Sequence, residues 1–136
     1  MTDMTLGQLV RSLSREVGGS IESADEGSNI YVITVPFTDG RSQQVTVFLG
    51  ADADGDDWFV ASSRFGAIAD LDLTDLFQRN YTQYGFSYVG AAGDDAVVLA
   101  QLPLAAVSID LGKALIVDVA AKADGLEEEF YGDDTE

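Results

Sequence analysis

The sequence predicts an α+β fold in which helices pack on an antiparallel five-stranded sheet, in the order α-β-β-β-α-β-β-α. Apolar residues recur at helical spacing in three separate stretches, 5–17, 71–84 and about 108–129. Between these stretches, five short runs rich in β-branched and aromatic residues follow the two-residue period of strands. Short turns join neighbouring runs and imply antiparallel pairing, and such a sheet with helices on it is an α+β architecture.

The first helix is predicted over residues 5–17. Thr5 and Gln8 have the spacing of a capping box, and two glycines at 18 and 19 end the helical pattern. Its apolar stripe consists of Leu6, Leu9, Val10, Leu13 and Val17. Residues 21–29 are polar and are interpreted as a connection that ends in a turn.

Three strands are predicted next, at 30–37, 43–49 and 58–63. Asp39 and Gly40 form a hairpin signal between the first two strands, and the acidic turn 51–57 separates the second from the third. The first of these strands is apolar on both sides, so both faces of the sheet are expected to be covered in part.

The central helix, residues 71–84, divides the strands into two blocks. Asp70 and Asp72 are both candidate N-caps, because a carboxylate accepts a free backbone N–H and faces the positive end of the helix dipole. One face of this helix carries Leu73, Leu76, Phe77, Asn80, Tyr81 and Tyr84. Two interpretations remain open: the tyrosine hydroxyls reach solvent at the edge of the core, or the stripe is also a dimer or ligand surface.

The second block contains two strands, at 86–91 and 96–102, and the last helix, which Ser108 or Asp110 caps. The length of 136 residues suits one domain with a proper core. We therefore expect a single domain over residues 1–136, ordered from about 4 to 131, with an acidic C-terminal tail at 132–136.

The charge balance is strongly acidic, with 24 acids, 7 bases and a net charge of −17. Nucleic acids and anionic membrane surfaces would be repelled, so neither is expected as a partner. Two explanations stay open. One is an acidic surface that maintains solubility, as in halophilic proteins, and the other is an acidic face that attracts a basic protein.

The residues that most often carry catalysis and metal binding are missing, because the chain contains no cysteine and no histidine. We therefore expect no enzyme activity and no cofactor. Asp52, Asp54, Asp56 and Asp57 are the one acidic group that resembles a calcium loop, but the glycine and glutamate of an EF-hand are absent at positions 57 and 63. We interpret it as a solvated turn without a metal. No long apolar run or secretory signal is present, which indicates a cytoplasmic protein.

The order of elements and several local features resemble the class I type III secretion chaperones and the related YbjN-type family. Residues 73–107, LTDLFQRNYTQYGFSYVGAAGDDAVVLAQLPLAAV, are similar to the central segment of these families. The similarity includes the sequence Leu102-Pro103-Leu104 after the last strand, and AKADGLEEEF resembles their last helix. The resemblance spans about residues 5–130.

This resemblance implies a small acidic homodimer that binds a protein client and has no catalytic activity. The implied dimer surface is the central helix with its neighbouring strand, Leu73, Leu76, Phe77, Asn80, Tyr81, Tyr84 and Tyr88. Secretion chaperones hold an extended client segment on apolar patches of the first helix and the sheet, which implies partner binding by Leu6, Leu9, Val10 and Leu13. The alternative function is a regulatory protein that responds to a small molecule or ion in a pocket between helices and sheet.

Overall fold

The computed structural model describes residues 5–83 and 85–132. It contains three α-helices and six β-strands. In chain order these are α1 (Leu6–Glu16), β1 (Ser20–Asp25), β2 (Ile30–Pro36), β3 (Ser42–Ala51), β4 (Asp57–Ala67), α2 (Leu73–Thr82), β5 (Tyr88–Ala92), β6 (Asp95–Pro103) and α3 (Ile109–Tyr131). Short 3-10 turns at Ile68–Asp70 and Leu104–Ala106 lead into α2 and α3.

The strands form one antiparallel sheet in the order β1-β2-β3-β4-β6-β5. The predicted α+β class is confirmed, but the prediction of five strands was wrong. The sixth strand is β1, within the stretch that was interpreted as a polar connection. It lies at the edge of the sheet and five of its six residues are exposed, so it lacks the apolar alternation by which a strand is recognised.

One hydrophobic core lies between the sheet and the helices α1 and α3, and Leu76 of α2 also belongs to it. Alternate residues of β2, β3, β4 and β6 point into it, and α1 and α3 cover them from the same side. The two helices approach each other closely at Gly112, where an added Cβ atom would lie 3.0 Å from Leu13 Cδ1. A larger residue there would push α1 away from α3, because a packed interior has little room to adjust.

The helix starts follow the sequence closely. Thr5 and Gln8 form the predicted capping box on α1. Asp72 accepts the backbone N–H of Asp75 at the start of α2, and Ser108 accepts that of Leu111 at the start of α3. These side chains satisfy backbone donors that have no partner inside the helix.

Two polar ties hold the C-terminal half of α3 to the rest of the chain. Arg41, beyond the end of β2, forms ion pairs with Asp124 and Glu128 of α3. The hydrogen bond to Glu128 and the one to Asp124 raise the pKa of Arg41, so the guanidinium stays charged. At the end of α3, the Tyr131 hydroxyl accepts the N–H of Ala67 and donates to Asp70, each at 3.0 Å.

Two earlier expectations fall on residues outside this description. Tyr84 is not among the described residues, and neither are positions 133–136 of the predicted acidic tail. Within 5–83 and 85–132, none of the helices is both long and apolar enough to cross a membrane.

Candidate functional site

Helix α2 lies beside the edge strand β5. The inner side of α2 contacts the hydrophobic core and α3. Leu76 is 1% exposed and belongs to the core. Arg79 donates to Asp75 on its own helix and to Glu129 on α3, with its guanidinium 5.1 Å from the centre of the Phe130 ring. The hydrogen bond from Arg79 lowers the pKa of Glu129, which keeps this pair ionised.

Asn80 joins α2 to the outer edge of β5. Its amide nitrogen donates to the Val89 carbonyl at 2.9 Å, and its amide oxygen accepts the Val89 N–H at 2.7 Å. The side chain therefore makes the two hydrogen bonds that a further strand would make at this residue. Sequence periodicity placed Asn80 on the predicted dimer stripe, whereas in the structure its side chain bonds to β5 of the same chain.

Just before β5, side chains of α3 bond both backbone groups of Ser87 in the same way. The Ser87 N–H donates to Asp118 at 3.0 Å, and its carbonyl accepts Lys122 Nζ at 2.8 Å. Backbone groups of an exposed edge strand are a template for pairing with another chain, and here side chains occupy them.

The outer side of α2 is an exposed apolar stripe, which we call the α2 stripe. It consists of Leu73, Phe77 and Tyr81, spaced four residues apart, with exposures of 37%, 54% and 81%. Tyr88 on β5 is also exposed, at 36%, as is Phe86 before it. Of the seven predicted dimer residues, four are thus accessible, Leu76 is in the core, Asn80 is bonded to β5, and Tyr84 is not described.

The predicted partner surface on α1 is not accessible in this structure. Leu6 is 5% exposed, and Leu9, Val10 and Leu13 are completely buried in the core. The apolar stripe of α1 covers the sheet and contacts α3. Its burial stabilises the fold, and it does not form an exposed surface. This corrects the expectation that these four side chains meet a partner.

A second apolar surface lies on the opposite side of the sheet from α1 and α3, and we call it the open face. The strand register places Ile30, Phe48 and Val60 side by side across β2, β3 and β4, and in the next row Leu99 beside Tyr88 on β6 and β5. Val60 and Val97 are only 6% exposed, yet neither belongs to the core under the helices. Neighbouring side chains of the sheet therefore shield them.

No helix of the described chain covers the open face. Its apolar residues are Ile30, Val32, Phe48, Trp58, Val60, Tyr88, Val97 and Leu99. A single uncovered sheet face is usually polar. The apolar residues on both sides of β2 led to the expectation that both faces of the sheet are covered in part, whereas the helices of the described residues cover only one face.

At one end of the open face there is a depression of about 290 Å³, lined by Gly50, Ala51, Asp52, Trp58, Val60 and Gln101. The Trp58 indole N–H donates to Asp52 Oδ2 at 2.9 Å. This hydrogen bond, with those from the backbone N–H groups of the loop, lowers the pKa of Asp52 and keeps a negative charge at the rim.

The acidic turn brings Asp52, Asp54 and Asp56 together, with one carboxylate oxygen of each within 4.8 Å of the others. All three side chains are exposed. Asp52 Oδ1 accepts the N–H groups of Asp54 and Asp56 at 2.9 and 3.0 Å. Hydrogen bonds within the turn therefore already engage this carboxylate.

Comparison with known proteins identifies a fold. No protein-family model matches the chain, and no curated protein is significantly similar to it. A chain in the crystal structure of the ExsC–ExsE complex matches with a TM-score of 0.60 at 15% sequence identity, over 94% of this chain and 97% of that chain. The match confirms the secretion-chaperone-like fold and does not support the YbjN-type family specifically.

Proposed function

We propose that this protein is a non-enzymatic, protein-binding module that works as a homodimer and holds a segment of a partner protein. The α2 stripe is the observation that carries the proposal. Leu73, Phe77 and Tyr81 are large apolar residues at one helical spacing, and they remain exposed although the core is complete without them. Contiguous exposed apolar residues, and aromatic ones above all, mark protein interfaces.

The match with a chain from a protein complex supports the same class of function. The ExsC–ExsE structure is a complex of two proteins, and the fold of one of its chains extends over nearly the whole of this chain. A fold alone does not define a function, so the proposal rests on the accessible side chains.

The Asn80 bonds support one geometry for the dimer. The Asn80 side chain already occupies the outer backbone groups of Val89, so pairing of two β5 edges at this residue would first require breaking two hydrogen bonds. Packing of two α2 stripes against each other requires neither of these to break. We therefore place the dimer contact on the α2 stripe, Leu73, Phe77 and Tyr81.

Light scattering over a concentration series tests the dimer, with Phe77→Asp as the disrupting variant. Gln78→Asp is the matched control, because Gln78 is the next residue on the same helix, is exposed and lies off the stripe. We expect a dimer for the wild type and the control, and a folded monomer for Phe77→Asp. A wild-type protein that stays monomeric at every accessible concentration would refute the dimer.

A further inference from the structure

We propose that the open face binds a basic amphipathic helix supplied by a partner protein. This inference rests on the proposed protein-binding function and specifies the partner's chemistry and position. Three features of the structure carry it: the two edges of the sheet, which discourage pairing with a further strand, the apolar band on the open face, and the negative charge around that band.

The edges of the sheet do not accept a further strand easily. The Asn80 side chain of α2 occupies the outer edge of β5 at Val89, and side chains of α3 bond the backbone of Ser87 just before the strand. At the other edge, β1 has a bulge between Ile21 and Ser23 and carries Glu22 and Asp25. Bulges and charges on an edge strand discourage pairing. We therefore expect a partner that uses the apolar band to lie on the face.

A segment that lies on a sheet face cannot form hydrogen bonds with the sheet backbone, so it must satisfy its own backbone groups. A helix does this, whereas a single extended strand does not. From Ile30 across Phe48 to Val60 the band spans two strand spacings, roughly 10 Å, which is about the diameter of one helix. Along β4 the apolar residues of the band are Trp58 and Val60, about 7 Å apart, which is a little over one helical turn.

The charge around the band selects a cationic occupant. Asp25 pairs with Ile30 at one side of the band, and Asp52 lies beside Trp58 at its end. Arg64 is the base that the strand register places on this face, and its guanidinium is paired with Asp95. A lysine or arginine of the partner can lay its aliphatic stem on Trp58 in the depression and bring its charge to Asp52.

The same charges disfavour a second copy of this chain on the open face. The rim of the open face carries Asp25 and Asp52, so two open faces in contact would place these carboxylates against each other. Like charges brought together at an interface cost several kcal/mol, whereas opposite charges steer the encounter. A partner helix with apolar residues on one side and lysine or arginine beside them fits this face. Its apolar residues would contact the band, and its positive charges would lie near the acidic rim.

Trp58 is the only tryptophan of the chain and lies on this face, so its fluorescence reports binding directly. The probe is a synthetic helix of about 18 residues, made of leucine and lysine without aromatic residues, which is long enough to fold. We expect a saturable blue shift of the Trp58 emission. Two control peptides are compared with it: a helix of the same pattern with glutamate in place of lysine, and a scrambled Leu/Lys peptide. Both should bind at least tenfold more weakly.

Ile30→Lys is the disrupting variant, and Val117→Lys is its matched control. Both side chains are β-branched and 42% exposed, but Ile30 lies on the open face and Val117 on α3 in the helix layer. Ile30→Lys should weaken binding of the Leu/Lys helix at least tenfold, and Val117→Lys should leave it within twofold. Equal affinity of the two variants would overturn the proposal.

Two further outcomes would also overturn it. Equal binding of the scrambled peptide would mean bulk charge attraction alone, and a blue shift caused only by raising the protein concentration would assign the face to a second copy. The Phe77→Asp variant separates this proposal from the dimer, because it alters the α2 stripe and leaves the open face intact. A monomeric Phe77→Asp protein that still binds the Leu/Lys helix would support both proposals.

Discussion

Leu76 and Phe77 are consecutive residues of α2 with opposite environments, since Leu76 is 1% exposed and Phe77 is 54% exposed. Both fit the apolar stripe of the sequence, because a broad helical stripe includes residues on either side of its centre. The helix is rotated so that Leu76 enters the core and Phe77 faces outward. This rotation leaves an aromatic ring available for a partner.

Alanine substitutions at these two positions should have very different effects on monomer stability. Leu76→Ala removes a buried side chain and should lower the free energy of unfolding by about 2–5 kcal/mol. Phe77→Ala should lower it by under about 1 kcal/mol, because surface substitutions away from special features have small effects. Urea denaturation at a protein concentration where the chain is monomeric provides the measurement. Similar losses for both variants would contradict the environments described for these residues.

Asn80 is expected to stabilise the edge strand through its two hydrogen bonds with Val89. Asn80→Ala leaves a partly buried N–H and C=O without that partner, which should cost about 1–3 kcal/mol. Hydrogen exchange of the Val89 amide should become faster, because its acceptor is gone. Gln78→Ala on the same helix is the control and should leave both quantities unchanged. Slow exchange at Val89 in the Asn80→Ala protein would show that the amide is protected by another group.

The sequence was sufficient for the parts of the fold that depend on local signals. The capping residue Thr5 was identified, and Asp72 and Ser108 were each one of two candidates, since an N-cap is a short-range arrangement of one side chain and a backbone N–H. The antiparallel pairing of β2 with β3, β3 with β4 and β5 with β6 followed from the short turns, whereas the pairing of β4 with β6 joins strands that are not consecutive in the chain. Strand β1 was missed because an exposed edge strand is held by its backbone hydrogen bonds to β2, which leave no apolar pattern.

The candidate surfaces were harder to predict, because periodicity gives a stripe but not what covers it. The stripe of α1 is correct as a pattern, yet Leu9, Val10 and Leu13 are core residues. Asn80 occupies a stripe position and bonds to a strand that is nine residues away in sequence. The open face is composed of residues from different strands, such as Ile30, Val60 and Leu99, and only the strand register brings them together.

The net charge of −17 should make stability depend on salt at low concentration. With 24 acids and 7 bases, repulsion outweighs the attraction in ion pairs such as Arg41 with Glu128, and salt screens it over about 10 Å at 0.1 M. Thermal melts should show the melting temperature rising with sodium chloride, mostly below about 0.5 M, where the screening length changes most. A melting temperature that is flat in this range would argue against a fold limited by charge repulsion.

The ion pair between Arg79 and Glu129 should give a pH-dependent contribution to stability. The hydrogen bond from Arg79 lowers the pKa of Glu129 in the folded chain. A carboxyl group whose pKa is lowered by folding stabilises the fold above its unfolded pKa, and the effect is lost as the pH falls through the folded value. Glu129 is half exposed, so its contribution should be at most about 1 kcal/mol.

Comparison of the wild type with Glu129→Gln isolates this contribution. The difference in the free energy of unfolding should be constant near neutral pH and should disappear below the ordinary carboxyl range, about pH 4. Glu16→Gln on α1 is the control, because Glu16 is an exposed glutamate near the end of a helix, far in sequence from Arg79. A difference that grows as the pH falls would contradict the direction of the pKa shift.

The acidic turn of Asp52, Asp54 and Asp56 should not bind calcium tightly. A specific site needs six to eight oxygens at about 2.3–2.6 Å, in a loop that folds around the ion. In this turn, Asp52 already accepts hydrogen bonds from Asp54 N–H, Asp56 N–H and the Trp58 indole, and β4 begins at Asp57, where the backbone is committed to the sheet. Calcium binding would have to break the hydrogen bonds that Asp52 accepts. Only three carboxylates are grouped in the turn, which is fewer oxygen ligands than the ion requires.

Calorimetric titration with calcium at physiological salt, followed in parallel by Trp58 fluorescence, measures this directly. We expect weak, non-saturable heats and no change in the emission of Trp58, because its hydrogen bond to Asp52 persists. Asp54→Asn should behave like the wild type, and so should the control Asp94→Asn in the β5–β6 turn. A saturable one-site curve in the micromolar range that Asp54→Asn abolishes and Asp94→Asn preserves would contradict the prediction. It would also favour an ion-responsive regulator over a protein-binding module, because the turn would then respond to the ion at the rim of the open face.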